Sequence, residues 1–216
     1  MFTGIIEQIG KAKKVSPKDG GLSLMIQINL KTFKVGESVA LDGVCLTVVK
    51  KQNQKKGTLL SFELAEETLK KTTFKDITIG AQLNLERSLK MGSPLGGHFV
   101  QGHIDGIGKI SKIELQGNSK LFFFSYPFSL EPYIVPKGSI AINGISLTVV
   151  ESNQHNFSVS ILPFTENQTS LKDKKIGDEV NLETDIIAKI VAQQTKNHLK
   201  SALDPGSLYQ KIQIDY

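Results

Sequence analysis

The chain writes most of itself twice. GVCLTVV at 43–49 returns as GISLTVV at 144–150, identical at five of seven positions. MFTGIIEQIGKA (1–12) aligns with FVQGHIDGIGKI (99–110), and SVALDGVCLTVV (38–49) with SIAINGISLTVV (139–150). ETLKKTTFKDITIGAQLNLE (67–86) aligns with FTENQTSLKDKKIGDEVNLE (164–183). A period near 98 residues is too long for a solenoid unit and is the size of a small domain with its own core. The offset drifts from 98 to 101 and back to 97, which puts short indels in the polar stretches around 13–37 and 50–58. Loops tolerate such length changes at little free-energy cost. The repeat predicts two homologous domains, 1–97 and 98–186, connected through SPLGGH (93–98), and a tail over 187–216.

Within each copy the pattern is β. SLMIQI, ESVALDG, CLTVVKK and LLSFELA in the first copy are short, rich in β-branched or aromatic residues, and bounded by turn formers. LFFFSY, SIAING, SLTVVES and FSVSILP match them in the second. LDG and ING suit turns with positive φ between antiparallel strands. Evenly spaced short strands point to an all-β fold, a small barrel in preference to a sandwich, because closure removes exposed edges. LAEETLKKT and PFTENQTSL read as a short helix or turn between strands. The tail DIIAKIVAQQTKNHLKSALD places Ala188, Ala192, Thr195, Leu199 and Ala202 at spacings of four and three, which predicts a weakly amphipathic helix stopped by Pro205-Gly206. Such a helix has no core of its own, so it packs on a domain or self-associates.

Composition excludes several classes. Apolar runs reach about six residues, far short of the roughly 20 that span a bilayer as a helix. The N-terminal residues lack a basic segment followed by an apolar one, so no secretory signal is expected. A single cysteine, Cys45, precludes an intrachain disulfide and fits a reducing cytoplasm. The net charge of +5 comes from scattered lysines without interleaved aromatic residues, a pattern of solvated loops and not of nucleic-acid binding.

No phosphate-binding loop or zinc-protease motif is present, and GGHFVQG lacks the strand-then-helix context of a dinucleotide loop. His98, His103 and Asp105 are close in sequence, but histidines five apart on a strand face opposite sides, which argues against a shared metal. Cys45 is either a nucleophile activated by a histidine or a packed strand cysteine. The repeat sharpens the choice of residues: His103 stands where the first copy has Ile5, and Cys45 where the second has Ser146. Positions that differ in chemistry within otherwise matched copies are where two sister pockets would specialise. Two sister pockets suit either a pair of binding modules or an enzyme that holds two related molecules and lets them react.

MFTGII, GVCLTVV, GGHFVQGHID and GISLTVV closely resemble the α-chain type of riboflavin synthase, over essentially the whole chain. The resemblance implies two six-stranded Greek-key β-barrels plus a C-terminal α-helix, and a cytoplasmic homotrimer held largely by that helix. It implies a transferase of the final step of riboflavin biosynthesis. Two molecules of 6,7-dimethyl-8-ribityllumazine dismutate by four-carbon transfer to riboflavin and 5-amino-6-(D-ribitylamino)uracil, with no cofactor or metal. Lumazine synthase is a candidate partner, and the active site lies between the N-terminal domain of one subunit and the C-terminal domain of another. A non-catalytic lumazine- or flavin-binding protein of the same fold is the competing expectation.

Carried over by residue, the resemblance lines the N-terminal pocket with Gly4, Ile5, Ile6, Cys45, Leu46, Thr47, Glu63, Leu64, Ala65, Glu66, Glu67 and Thr68. It lines the C-terminal pocket with Gly102, His103, Ile104, Lys137, Ser146, Leu147, Thr148, Ser160, Ile161, Leu162, Pro163, Phe164 and Thr165. The resemblance implies that Phe2, Cys45, His98, His103, Ser146, Thr148 and Asp185 carry the activity. Phe164 departs from the family pattern, where an acidic residue or histidine is expected, while Thr165 is retained.

Overall fold

The structure is a computed structural model and describes residues 1–30 and 32–203, the side chains of 200–203 apart. The first copy forms β1 (Gln8–Lys18), β2 (Gly21–Ile28), β3 (Ser38–Leu41), β4 (Val44–Thr47), β5 (Lys50–Asn53), β6 (Thr58–Leu64), α1 (Glu66–Lys71) and β7 (Gln82–Arg87). The second forms β8 (Gly106–Gln116), β9 (Ser119–Ser125), β10 (Ser139–Ile142), β11 (Ile145–Ser152), β12 (Asn156–Ile161), α2 (Pro163–Gln168) and β13 (Glu179–Thr184), followed by α3 (Ile186–Leu203).

In the second copy the strands close into a barrel in the order β10-β11-β12-β9-β8-β13. In the first the order is β4-β3-β7-β1-β2-β6-β5. Its two end strands are consecutive in the chain, separated by Val48 and Val49, and the Val49 N–H donates to the Ser61 carbonyl at 2.9 Å. They are one interrupted strand, the counterpart of β11. Strand neighbours that are not sequence neighbours, β2 with β6 and β7 with both β1 and β3, make this a Greek key. Each barrel fills with its own apolar side chains, Leu24, Ile26, Leu60 and Phe62 in the first and Phe122, Phe124, Phe157 and Val159 in the second.

Four strands were not read from the sequence: β1 and β7 in the first copy, β8 and β13 in the second. KAKKVSPK lies in a stretch expected to carry an indel, yet it belongs to β1. A bulge between Ala12 and Lys14, repeated in β8 between Ile110 and Lys112, inserts a residue and breaks the period-two signal. The first change of offset falls between β2 and β3, and the second between β5 and β6, both inside the expected stretches. The tail helix forms as expected, with the Asp185 carboxylate accepting from the Ile187 N–H at 2.9 Å. The Pro205-Gly206 stop lies outside the described residues. Among the described residues no helix is long and apolar enough to cross a membrane.

The barrels meet through an outward-facing row on each. Glu86, Ala40 and Cys45 are in register across β7, β3 and β4, and Glu183, Ala141 and Ser146 across β13, β10 and β11. Phe2 and Val100 pack between the rows and pair through Phe2 N–H to Val100 O at 2.7 Å and Val100 N–H to Phe2 O at 3.1 Å. The hairpin apices Asp42-Gly43 and Asn143-Gly144 adopt positive φ throughout, and their glycines touch: a Cβ on Gly43 would stand 2.8 Å from Gly144 N. Beneath them the buried Asn84 donates from Nδ2 to the Asn143 carbonyl, and Asn181 donates to the Asp42 carbonyl, both at 2.9 Å. Their Oδ1 atoms accept from Ser170 N–H and Thr73 N–H, so each amide ties its own strand to the other barrel.

The network is reciprocal with one exception. Asp42 Oδ1 accepts from Asn84 N–H at 2.7 Å, and Asn143 Oδ1 accepts from Asn181 N–H at 2.7 Å, but only Asp42 is ionisable. Burial raises its carboxyl to about 7, against the lowering by the Asn84 N–H and the Lys174 charge. The folded state thus holds the proton more tightly than the unfolded chain, so stability is greatest below the ordinary carboxylate pKa and falls as pH rises through about 7. Asp42→Asn, which installs the sister residue, is expected to stabilise the protein at pH 8 by on the order of 2–4 kcal/mol and to have little effect at pH 4. Thermal melts of both proteins at the two pH values test this. An equal shift at both would refute a role for the Asp42 charge.

Candidate functional site

The segments that precede each barrel cross to the other one. The Gly4 carbonyl accepts from Ser146 N–H at 2.8 Å, and the Gly102 carbonyl accepts from Cys45 N–H at 2.9 Å. Ile6 packs on the second core and Ile104 on the first. The grouping expected from sequence is therefore exchanged. Gly4, Ile5 and Ile6 stand beside Ser146, Leu147 and Thr148, whereas Gly102, His103 and Ile104 stand beside Cys45, Leu46 and Thr47. Sequence adjacency assigns residues 1–6 to the barrel they lead into, but the chain reaches β1 only after pairing Phe2 and Gly4 with the second copy.

Around Cys45, the half-buried thiol packs on the layer of Phe2 and Val100, Leu46 points into the core, and Thr47 is exposed. Glu63 points outward and pairs with Lys18, while Leu64 is buried. Ala65 caps α1, whose exposed Glu66 and Glu67 pair with Lys70 and Lys71. Half-buried Thr68 offers its carbonyl to Thr72 Oγ1. His103 is exposed beside this group.

Around Ser146, Leu147 is half-buried and Thr148 exposed. Ser160 reaches Ser119 Oγ at 3.2 Å, and Ile161 is buried. Leu162, Pro163 and Phe164 are exposed where the first copy has Ala65, Glu66 and Glu67, and Thr165 is half-buried. Lys137 is exposed and holds φ +66, where its first-copy counterpart is Gly36 at +87.

His98 is buried, and its Nδ1 lies 2.7 Å from Ser146 Oγ, whereas Nε2 has no hydrogen-bond partner among the described residues. Burial holds the imidazole below its ordinary range, offset in part by the Asp185 charge. A neutral ring with its proton on Nε2 accepts from the Ser146 hydroxyl and leaves that oxygen electron-rich. Phe2 is fully buried and acts through packing. His98 and His103 attach to different pockets, Asp105 serves Thr184 and Lys189, and among the described residues no three His, Cys, Asp or Glu side chains could hold a metal ion.

Glu86 and Glu183 escaped the sequence reading. Each lies in the layer between the barrels and accepts from backbone N–H groups of a crossing segment. The repeated Asn-Leu-Glu at 84–86 and 181–183 was their signal, because a strand that keeps a carboxylate beside buried residues in both copies has a partner for it.

The family model of the lumazine binding domain matches residues 3–88 and again 101–185. The crystal structure of LumP complexed with riboflavin superposes with a TM-score of 0.78 at 26% identity, covering 85% of this chain and 99% of that one. Barrel, repeat and crossing segments together define a double lumazine-binding-domain protein. Riboflavin synthase of Chlamydia muridarum is 41% identical over 191 residues, 88% of this chain and 92% of that protein. Riboflavin synthase of Bacillus subtilis is 36% identical over 192 residues, 88% and 87% respectively. The chain belongs to the riboflavin synthase family.

Close approach at the crossings gives a direct test of the exchange. A Cβ on Gly102 (φ +84) would lie 2.5 Å from Cys45 Cβ and 2.8 Å from Cys45 N. Gly102→Ala is expected to cost about 2–4 kcal/mol in urea unfolding, against about 1 for Gly20→Ala, where φ is also positive but no atom lies within 4 Å. Equal costs would contradict the crossing.

Proposed function

We propose that this chain is a riboflavin synthase that binds one 6,7-dimethyl-8-ribityllumazine at each pocket and transfers a four-carbon unit between them. The observation that carries the reading is the pair of pseudo-equivalent pockets with different chemistry, Cys45 and His103 in one, Ser146, His98 and Ile5 in the other. Products are riboflavin and 5-amino-6-(D-ribitylamino)uracil. Atoms and electrons balance between two identical substrate molecules, so the reaction needs no oxidant or reductant.

Physical chemistry supports the assignment. The lumazine 7-methyl is acidic because its carbanion delocalises into the ring, and hydroxyls such as Thr47 and Thr148 suit ring nitrogens and carbonyls. His103, exposed at the Cys45 pocket, suits proton transfer to and from the bound ring. In this reading Cys45 or Ser146 adds to, or directs water onto, an activated ring carbon. Holding two rings against each other supplies up to about 7–11 kcal/mol of acceleration by proximity and orientation.

Both pockets are open on one chain: Thr47 and His103 are exposed at the Cys45 pocket, and at the Ser146 pocket Ile5 is 50% exposed, Leu162 54% and Phe164 76%. A neighbouring copy would cover them, bringing the Cys45 pocket of one subunit onto the Ser146 pocket of another. The homotrimer reading draws on α3, which exposes Ile187, Ile190, Val191 and Leu199. A groove of about 720 Å³ runs between this helix and Pro132, Tyr133 and Val135. The lone cysteine fits a cytoplasmic setting.

Purified protein mixed with 6,7-dimethyl-8-ribityllumazine alone is expected to develop riboflavin fluorescence. Ligand binding without that product would favour a carrier protein instead. Cys45→Ser is expected to lower kcat by more than about tenfold with a smaller change in substrate Kd, and an unchanged kcat would exclude a catalytic thiol. Removal of 187–216 is expected to dissociate the oligomer, read by light scattering, and to abolish activity. A fully active monomer would refute both the trimer and the shared site.

A further inference from the structure

We propose that Glu183 and Glu86 are positioning residues of the two pockets, each carboxylate gathering the backbone N–H groups of one crossing segment and so fixing which side chain that segment presents. Glu183 accepts from Gln101 N–H at 2.6 Å, Gly102 N–H at 2.9 Å and His103 N–H at 3.1 Å. Glu86 accepts from Thr3 N–H at 2.6 Å, Thr3 Oγ1 at 2.7 Å and Gly4 N–H at 2.9 Å. Both carboxylates are buried.

The geometry gives each clasp a distinct pocket. Glu183 orients the peptide whose carbonyl receives the Cys45 N–H, and the next side chain along is His103. Glu86 holds the N–H of Gly4, whose carbonyl receives the Ser146 N–H, and reaches the next residue, Ile5, through Thr3 Oγ1, which accepts the Ile5 N–H at 3.3 Å. The strand residue opposite each carboxylate is an alanine, Ala141 or Ala40, which leaves the room the segment occupies. Convergent N–H groups buried without an acceptor would be costly, so a loss of charge loosens the segment before it unfolds the barrel. A misplacement of about 1 Å at a reacting group can reduce a rate by on the order of a hundredfold.

The Glu183 clasp is also responsive to pH. Burial raises its carboxyl to about 6, opposed by the Gln101 and Gly102 N–H groups. The groups that face it are Lys189 of α3, which lowers the value, and Asp105 just before β8, which raises it and is itself paired with Lys189 at 2.6 Å. His103 belongs to the clasped segment, Asp185 lies two residues beyond Glu183, just past β13, and β10 contributes Ala141 in register. Protonation removes an acceptor, so the clasp is whole above about pH 6 and weakens below it.

The proposal rests on the riboflavin synthase reading for its kinetic arm alone. In the first arm, ¹⁵N-labelled full-length protein is titrated from pH 8 to 5 and the Gln101 and Gly102 amide resonances are followed. Both are expected to move with one midpoint near pH 6 in the wild type and to stay fixed in Glu183→Gln. Amides that do not titrate in the wild type, or that titrate equally in the variant, overturn the clasp. In the second arm, Glu183→Gln is expected to lower kcat for riboflavin formation at least about tenfold at pH 7.5. The variant is also expected to lose the acid limb near pH 6. Wild-type kcat and an unchanged pH profile in a folded variant overturn the positioning role. A wild-type protein that makes no riboflavin refutes the function and leaves the amide result to stand. If the variant does not fold, the wild-type titration decides.

Discussion

Everything at the centre of this molecule hangs on two buried asparagine side chains. Asn84 and Asn181 each belong to one barrel by their strand and to the other by their amide, which donates to a turn carbonyl and accepts from a short helical turn across the boundary. Such polar groups are expensive to bury and are tolerated only when each donor and acceptor is matched. Their geometry is also unforgiving, so the two barrels have one relative placement. The hairpin apices touch, the crossing segments pair with the opposite strands, and the two pockets are held at fixed distance and orientation.

The architecture was legible from sequence to an unusual degree because it is written twice. The strands around Cys45 and Ser146 could be read from their β-branched residues and the Asp-Gly and Asn-Gly turns. β1 and β8 could not, since each carries a bulge and an outward face rich in lysine, and a displaced residue inverts the alternation on which such readings depend.

Residues of the site were identified more readily than their partners. Cys45, His103 and Ser146 stand out because the copies differ there, but the family resemblance grouped Gly4 with Cys45 and Gly102 with Ser146. Which barrel a leading segment visits is a tertiary fact, set by Phe2, Val100 and the carboxylates of Glu86 and Glu183. No periodicity encodes it. The exchange matters for chemistry, since it gives His103 to the thiol and Ile5 to the hydroxyl, so the side chain lent across is polar at one pocket and apolar at the other.

The crossing segments have a further meaning. Each barrel lends the other the piece that completes it, which is the arrangement of two identical subunits swapping their leading arms about a twofold axis. In a true dimer of that kind every residue is obliged to serve both roles, because a change in one arm is a change in both. Joined in a single chain, the halves keep the geometry of the swap and lose the obligation. Cysteine can face serine, histidine can face isoleucine, and aspartate can face asparagine across an interface that is otherwise the same from either side.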